Sequence, residues 1–509
     1  MAIYKETKDY KLIHDNMLNM GDYIADGTID CVITDPPYGL TSITKRFGKE
    51  GSAPAKEGKD GSFARLSKGF MGKEWDGSGI EYNVDAWRKC FNALKDGGYL
   101  LAFGGTRTFH RIACAIEDAG FEIRDTIMYL YAVGFPKSLN IGLAVDKLNG
   151  VESKVIAEGK SGSADTHTRT MKSITDNGKD VFGGNYEIKQ ATNEWQGWGT
   201  ALKPAYEPII VARKPMKTSV AENVLKNRVG GINIDECRVG SLKEDIEKLN
   251  KEWDREWNTT YKDYAKNVGG NAGFDYSNAR TENKGIIGRF PANIIHDGSD
   301  EVISGFPETQ SGNLNVGHKR GDGTGNSFMG GGGTIQKNYG GDSGNASRFF
   351  YTAKASKKDR DEGLEAFEEK SPMEQTGRKE GSLGLEYVDE KGLIHQNPYA
   401  GTKSYKKNIH PTVKPIELMQ YLVRLVAPKG ATILDCFMGS NSTGKAVMFE
   451  NRERNANYKF IGIELTDEYL PICEARIEYA INKYEYDEKL EQAKTGQLSI
   501  FDFVGEEDE

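Results

Sequence analysis

A stretch in the last fifth of the chain decides the fold: ATILD (431–435), CFMGSNSTG (436–444) and KFIGIE (459–464). An apolar strand, a loop of small residues, a short helix to about residue 450 and a second strand predict one βαβ unit. Small residues in the first turn let backbone amides approach a ligand. Glu464 ends the second strand 25 residues after Gly439, where an acid suits ribose hydroxyls. The stretch therefore predicts a site for a ribose-bearing ligand, with an exposed strand-end glutamate as the alternative.

The same loop also fits a second pattern, because Gly439 to Lys445 reads G-x-x-x-x-G-K, the phosphate loop of nucleotide hydrolases. That loop needs Ser or Thr after the lysine to hold magnesium, and Ala446 carries no oxygen. Asp435, at the end of the preceding strand, would also repel phosphates. These residues disfavour a nucleotide hydrolase.

A second strand end lies in the first half of the chain, where CVIT (31–34) runs into DPPY (35–38). The surrounding patterns predict strands over 29–34, 98–103, 122–131 and 206–213, and helices over 83–95 and 107–119. Glycines at 97 and 98 end the first helix where a left-handed residue is needed. Pro415 starts a further helix ahead of the βαβ unit. This alternation is typical of an α/β domain.

Composition bounds the class of protein. The chain has 509 residues, 37% hydrophobic, and a net charge of −8. Its length predicts two or more structural units. No apolar run approaches the ~20 residues that span a bilayer, and no basic region followed by an apolar core opens the chain, so we expect a cytoplasmic protein without a membrane partner. Six scattered cysteines without a CxxC pair indicate neither a zinc ribbon nor a disulfide framework, and no metal site is expected.

DPPY (35–38), together with HPTVKP (410–415), a helix and DCFMGS (435–440), resembles a known family. It is similar to the S-adenosylmethionine-dependent methyltransferases that modify exocyclic amino groups of DNA bases, in the members whose catalytic half comes first. The resemblance implies S-adenosylmethionine as cofactor and a Rossmann-like, seven-stranded mixed sheet in circularly permuted order. By position it implies that the cofactor is bound by Asp15 at the adenine, by Glu464 at the ribose, by Asp435, Phe437, Gly439 and Ser440 around the methionine end, and by Thr412 and Lys414 at the pocket edge.

Two positions depart from the family pattern. Cys436 replaces a common proline, and Asn441 replaces a glycine. Asparagine tolerates a positive φ, so we expect the turn to survive.

The resemblance makes Asp35, Pro36, Pro37 and Tyr38 the catalytic segment. An exocyclic amine is a poor nucleophile because its lone pair is delocalised into the ring, so an enzyme must hold that pair facing the methyl donor. The Asp35 carboxylate and the Pro36 carbonyl would accept the two amino protons, while Tyr38 would stack on a base flipped out of the duplex. Taken alone, the four residues could also be a rigid proline turn that ends a strand.

The target base follows from the first residue of that segment. Aspartate resembles the adenine-directed members, whereas serine is typical of cytosine amino-methylation, so we expect methylation at N6 of adenine. Ring-carbon methylation would need a Pro-Cys dipeptide, which the chain lacks. Cytosine-N4 methylation is the alternative within the class, and a catalytically degenerate DNA- or clamp-binding protein is the non-enzymatic one. A separate nuclease partner, as in restriction-modification, the recognition sequence and the oligomeric state are left open.

We expect the chain to divide into a catalytic half (1–215, with a mobile loop at 41–72 and an insertion at 137–204), a target-recognition region (216–404), a cofactor half (405–484) and a tail (485–509). A large polar region between the halves favours double-stranded DNA as partner, because reading base edges needs a dedicated surface. Segments within it resemble phage and prophage methylases.

The tail contains a short pattern of its own. Gln497, Leu498, Ile500 and Phe501 resemble the peptide by which bacterial proteins bind the replication sliding clamp. Docking of the tail on its own core is the alternative.

Overall fold

The computed structural model describes residues 2–39, 78–132, 134, 138–160, 185–239, 288–310, 343–354, 356–370, 386–388, 394–396 and 406–494. The strands are β1 (Ala2–Glu6), β2 (Tyr10–His14), β3 (Ile29–Thr34), β4 (Leu94–Phe103), β5 (Glu122–Leu130), β6 (Lys154–Lys160), β7 (Asn185–Gln190), β8 (Tyr206–Arg213), β9 (Ile294–His296), β10 (Glu308–Gln310), β11 (Ser343–Asn345), β12 (Tyr351–Thr352), β13 (Glu386–Val388), β14 (Ile394–Gln396), β15 (Thr432–Asp435) and β16 (Lys459–Glu464). The α-helices are α1 (Val84–Ala93), α2 (Phe109–Asp118), α3 (Ile141–Leu148), α4 (Val220–Asn227), α5 (Asp300–Ser304), α6 (Lys357–Asp361), α7 (Ile416–Val426), α8 (Ser442–Arg454) and α9 (Leu470–Lys494).

Several predictions concern residues outside this description: the loop 41–72, residues 161–184 of the insertion, residues 240–287 and 311–342 of the recognition region, and the clamp-type peptide from Gln497 to Phe501. Within the described ranges, no helix is both long and apolar enough to cross a membrane.

The chain forms two compact units. Unit 1 comprises Met1–Ile127, Val133–Gly231 and Ala355–Glu509, and unit 2 comprises Met128–Ala132 and Ile232–Lys354. Unit 1 therefore combines the strands of the predicted catalytic half with the βαβ unit. It also contains residues 356–370, which the expected boundary at 404 would assign to the recognition region.

A mixed sheet forms the centre of unit 1, in the strand order β1-β2-β16-β15-β3-β4-β8-β5. The five strands from β2 to β4 in this order run parallel, and β8 runs antiparallel to β4. The α/β class and the βαβ unit β15-α8-β16 are thus confirmed. The seven strands from β2 to β5 match the expected number, and β1 adds an antiparallel edge strand. The sequence did not reveal β1 because its side chains are mostly exposed and show no apolar periodicity.

Apolar burial on both faces explains the central strands. Every residue of β3 is buried, as expected for a parallel strand covered by helices on both sides. Trp87 and Cys90 of α1 and Ile112 of α2 are fully buried in the same core. The Asn83 side chain caps α1 by accepting a hydrogen bond from the amide of Asp85 at 2.9 Å. This packing fixes the position of β3, whose last residue precedes the DPPY segment.

Some boundaries differ from the predictions. Strand β4 begins at Leu94, four residues before the expected start, and Gly97 lies inside it with a φ of 84°. A Cβ at Gly97 would lie 2.3 Å from Nδ2 of Asn223, so glycine is required there on both counts. Helix α8 continues to Arg454 instead of ending near 450.

In unit 2, β9 pairs in parallel with Met128–Leu130 and with β12. Strands β10 and β11 form a short antiparallel pair. Buried His296 of β9 lies 3.2 Å from the Ser347 carbonyl, which ties the two parts of this small unit together.

Candidate active site

The carboxyl ends of β3 and β15 meet at one edge of the unit 1 sheet. The two strands are parallel neighbours, with Ile433 opposite Cys31. The hydroxyl of Thr34, at the end of β3, donates a hydrogen bond of 2.6 Å to Asp435, at the end of β15. After β15 the chain continues to β16, on one side of this pair, and after β3 it continues to β4, on the other side. Open α/β sheets bind ligands where the strand order reverses in this way.

Hydrogen bonds to the backbone fix the DPPY segment at this edge. The Thr108 hydroxyl donates to the Tyr38 carbonyl at 2.6 Å. The Tyr82 hydroxyl donates to the same carbonyl at 3.2 Å and to the Gly39 carbonyl at 2.9 Å. The Tyr38 ring lies against Gly105, where an added Cβ would approach Cδ2 of the ring to 3.2 Å. These contacts fix the backbone at the Tyr38 end of the segment.

Asp35 has one engaged oxygen and one without a partner. Its Oδ2 lies 3.1 Å from Nζ of Lys414. Its Oδ1 is buried and has no hydrogen-bond partner among the described residues. Burial raises the pKa of Asp35, the charge of Lys414 opposes that rise and the charge of Glu207 adds to it, so the net shift is upward. A buried acceptor left unpaired is costly unless a ligand satisfies it.

Lys414, from the HPTVKP stretch before α7, lies beside this carboxylate. Its Nζ is 3.0 Å from Oε2 of Glu207 and 2.7 Å from the Tyr38 hydroxyl. The ammonium also lies 4.6 Å from the centre of the Phe103 ring. Burial alone would lower the pKa of Lys414, but attraction to Asp35 and Glu207 outweighs burial and raises it. Lys414 is therefore a fixed positive charge in the site.

The glycine loop after β15 forms the other half of the site. Gly439 has a φ of 55°, and a Cβ there would lie 2.9 Å from Nε2 of His410. The Gly439 amide donates to Oε2 of Glu464 at 2.8 Å, and the Thr466 amide donates to Oε1 at 2.8 Å. Asn441 adopts a φ of 60° at the start of α8, so the expected turn with asparagine in place of glycine is confirmed.

Asp435 holds this loop to β3. Its carboxylate accepts hydrogen bonds from the hydroxyls of Thr34 and Thr443, each at 2.6 Å, and from the Phe437 amide at 3.2 Å. Burial raises the pKa of Asp435 to about 6, although these bonds oppose the shift. The Phe437 ring packs at a tilt against Trp87, with 6.1 Å between centroids. Asp435 and Phe437 thus link the loop to the core.

Glu464 is the acid expected at the ribose. Burial raises its pKa to about 7, against the two amide hydrogen bonds that favour its carboxylate. Without a ligand, its charge therefore changes near neutral pH.

The remaining predicted cofactor residues differ in how their side chains are used. The Asp15 amide donates to the Glu464 carbonyl at 3.1 Å, which places Asp15 beside that acid. Its carboxylate accepts from the Tyr23 hydroxyl at 2.7 Å and from Nδ2 of Asn19 at 2.8 Å, and the bond from Tyr23 contributes most to lowering its pKa. Thr412 is exposed, and its carbonyl is bonded to Nδ1 of His410.

A buried cluster of charges supports the glycine loop from behind. Nη1 of fully buried Arg476 donates to the Ser440 carbonyl at 2.5 Å, and Nη2 donates to the Asp359 carbonyl at 2.7 Å. Lys445, also fully buried, donates to Oε2 of Glu362 at 2.9 Å. The lysine of the G-x-x-x-x-G-K pattern therefore binds Glu362, the residue that follows α6.

The structure brings the predicted residues together in two groups: Asp35, Tyr38 and Lys414 at the end of β3, and Asp435, Gly439 and Glu464 around the glycine loop. Sequence reasoning missed Glu207 and Arg476. Glu207 is the second residue of β8, before the apolar run Ile209–Ala212, and Arg476 follows apolar residues on the buried face of α9. A charged residue in such a position is a usable signal, because these side chains are almost never buried without a partner. Within the described ranges, no group of three or more His, Cys, Asp or Glu side chains could hold a metal ion.

Comparisons with known proteins identify relatives. The family model described as DNA methylase matches residues 29–475. Type II methyltransferase M.HindIII of Haemophilus influenzae is 24% identical over 225 residues, which cover 40% of this chain and 59% of that protein. DNA adenine methyltransferase YhdJ of Escherichia coli is 36% identical over 92 residues, 18% of this chain and 29% of that protein. The solved PvuII DNA methyltransferase (cytosine-N4-specific) has a TM-score of 0.34 and 11% identity, and covers 93% of this chain and 89% of its own.

Proposed function

The chain belongs to the DNA methylase family, and from this premise we propose that it transfers a methyl group from S-adenosylmethionine to N6 of adenine in double-stranded DNA. The match to M.HindIII spans 59% of that relative's length, so activity, substrate and partner are argued from the residues of the site.

The unpaired Oδ1 of Asp35 carries the proposal. The amino group of a base has two protons, and an enzyme that makes its nitrogen nucleophilic must supply acceptors that orient them. Asp35 offers a buried acceptor of this kind, while its second oxygen is held by Lys414. We assign Oδ1 of Asp35 and the carbonyl of Pro36 to the two amino protons. The nitrogen must release one of these protons after the transfer, and Oδ1 of Asp35 is the acceptor already in contact with it.

The residues around the glycine loop fit the cofactor. Bound S-adenosylmethionine supplies an electrophilic methyl group. Gly439 gives the loop its φ of 55° and lets it pack against His410, and a carboxylate such as Glu464 has lone pairs for ribose hydroxyls beyond those used by two amides. We assign Asp435 and Phe437 to the positioning of the loop that receives the methionine end.

Two observations favour adenine over cytosine. The DPPY segment begins with aspartate, as in the adenine-directed members that it resembles. The relative YhdJ, which is named an adenine methyltransferase, is 36% identical over the part that aligns. We assign the Tyr38 ring to stacking on the extruded base, an arrangement that an enzyme acting on an exocyclic amine needs.

The test is transfer of tritium from labelled S-adenosylmethionine to unmethylated duplex DNA, followed by identification of the labelled nucleoside. We expect label in N6-methyladenine with the wild type and none with Asp35→Ala. Exposed Asp26 has no role in the site, so Asp26→Ala is the matched control and should retain activity. Label in N4-methylcytosine would overturn the base assignment, and absence of label with DNA from several sources would overturn the proposed activity.

A further inference from the structure

Glu207 lies at the catalytic edge of the sheet although it comes from a strand with no assigned role. Strand β8 runs antiparallel to β4, with Ile209 opposite Phe103, so the beginning of β8 lies beside the end of β4. The Gly104 amide donates to the Pro208 carbonyl at 2.9 Å, which extends this pairing past the end of β4. Glu207 therefore reaches the same edge as Asp35.

The geometry of Lys414 connects the two acids. A lysine ammonium has three donors and no acceptor. Lys414 donates to Oε2 of Glu207 at 3.0 Å and to the Tyr38 hydroxyl at 2.7 Å, and its Nζ forms an ion pair with Oδ2 of Asp35 at 3.1 Å. These three contacts place the ammonium between the two acids and the tyrosine.

We propose that Glu207 is a positioning residue for the methyl-transfer site: it holds Lys414 so that Oδ2 of Asp35 is occupied and Oδ1 is directed to the amino group of the base. The proposal rests on the proposed function for the identity of that amino group. A bond from Lys414 to Asp35 alone would leave the ammonium free to rotate about its long side chain. A second carboxylate, that of Glu207 on β8, restricts that freedom.

The charges of Lys414 and Glu207 predict a change in the pKa of Asp35 that a purely structural role of Glu207 would not produce. The charged and titratable groups around Asp35 are Lys414, Glu207, Tyr38 and Asp435. Lys414 favours the ionised form of Asp35, whereas the negative charge of Glu207 opposes it. Glu207→Gln keeps an oxygen for Lys414 but removes that negative charge. It should therefore lower the pKa of Asp35 and move the acid limb of the methyl-transfer rate to lower pH.

The kinetic test compares single-turnover methyl transfer by wild type, Glu207→Gln and Glu207→Ala from about pH 5 to about pH 9. Glu207→Ala should lower the transfer rate at neutral pH by about 10-fold to 100-fold, since a displacement near 1 Å at a reacting group has an effect of this order. Glu207→Gln should recover much of this loss and shift the acid limb downward. Affinities for S-adenosylmethionine and DNA should stay near those of the wild type. Glu194 is an exposed glutamate that precedes Glu207 in the chain, and Glu194→Gln is the matched control.

A second readout does not depend on activity. The side-chain carboxyl carbon of Asp35 can be followed by nuclear magnetic resonance in protein labelled at aspartate, and assigned by its absence in Asp35→Asn. Its titration should move to lower pH in Glu207→Gln. Identical titrations in the two proteins, or a loss in Glu207→Ala that lies only in cofactor affinity, would overturn the positioning role. If the titration of Asp35 shifts but the wild-type protein methylates no DNA, the coupling of Glu207 to Asp35 is supported and the proposed function is wrong.

Discussion

Two buried lysines of unit 1, Lys414 and Lys445, lie on different sides of the glycine loop. We call the side that faces Asp35 the front and the side that faces Glu362 the back. Lys414 binds two carboxylates and a hydroxyl at the front, and its pKa is raised. Lys445 binds the side chain and carbonyl of Glu362 at the back. There burial lowers the pKa of Lys445 to about 8 and the neighbouring charge of Arg476 adds to the effect, against the attraction of Glu362.

The difference lies in the number of negative partners and in the presence of a second cation. Two carboxylates offset the desolvation of Lys414, whereas the Glu362 carboxylate, which Lys445 shares with Lys483, offsets that of Lys445 only in part. The front lysine therefore keeps its charge throughout the physiological range and suits a site that must orient a carboxylate. The back lysine is a structural element whose charge is barely maintained.

Removal of the front lysine should produce the largest effect. Lys414→Met leaves Asp35 beside Glu207 without a counter-charge, so the pKa of Asp35 rises further and Oδ2 loses its donor. We expect single-turnover methyl transfer at neutral pH to fall by at least about 100-fold. Lys429→Met changes an exposed lysine after α7 and is the control. A Lys414→Met enzyme within a few-fold of the wild type would remove the distinction between the two lysines.

The back of the loop should respond in stability. Arg476→Met leaves the buried carbonyl of Ser440 and the partly buried carbonyl of Asp359 without the Arg476 donors, so we expect a loss of roughly 3 kcal/mol in the free energy of unfolding. Urea denaturation followed by circular dichroism measures the loss. Arg111→Met, at an exposed position of α2, is the control. An unchanged midpoint would mean that Arg476 does not support the loop.

The contrast between the two sides also shows what the sequence can predict. Local patterns identified β3, α1 and β16, because apolar periodicity and glycine or proline punctuation act within a few residues of the element that they define. Asp35, Asp435 and Glu464 were found for the same reason, since each directly follows or ends an apolar strand. These residues were also the ones that the family resemblance marked.

The partners of the two lysines could not be predicted in this way. Lys414 meets Glu207 across 207 positions of sequence, and Lys445 meets Glu362 across 83. Such pairs depend on strand order and helix packing, which local periodicity does not specify. The G-x-x-x-x-G-K pattern around Lys445 even fitted a phosphate ligand. Ala446, which has no side-chain oxygen for magnesium, was the residue that disfavoured that interpretation.

Glu464 offers a test on the ligand side of the loop. Because its pKa is about 7, its carboxylate should form as pH rises through neutrality, and affinity for S-adenosylmethionine should increase over the same interval. Glu464→Gln should weaken binding by about 10-fold at pH 8 and remove this pH dependence, since a hydrogen bond to a charged group contributes ~1.5 kcal/mol or more. Isothermal titration calorimetry measures both quantities.

The control for that experiment is Glu117→Gln, at an exposed position of α2. It should bind the cofactor as the wild type does. An affinity that is independent of pH in the wild type would assign the ribose to another residue.

The smallest effect is expected where the back lysine and its partner are replaced together. Lys445→Met/Glu362→Gln removes the buried ammonium together with its carboxylate, and Lys483, which also pairs with Glu362, is partly exposed. Such exchanges of buried ion pairs are often neutral or stabilising, so stability at pH 7 should change by no more than ~1 kcal/mol. Glu362→Gln alone should cost more, because it removes the negative charge opposite Lys445 and leaves one oxygen for Lys445, Lys483 and Tyr479, which now share two.

The pH dependence of the free energy of unfolding, in the wild type and in the same double variant, tests whether the pKa of Lys445 differs from that of Lys414. Below pH 8 Lys445 is protonated in both the folded and the unfolded chain, so its contribution to stability is constant. Between about 8 and 10.5 the unfolded chain binds the proton and the folded chain does not, so wild-type stability rises with pH relative to the double variant, by up to ~3 kcal/mol. Urea denaturation at intervals from neutral to alkaline pH measures this difference. Parallel curves for the two proteins would mean that Lys445 keeps its charge as firmly as Lys414, and that a single carboxylate is enough to hold a lysine behind the loop.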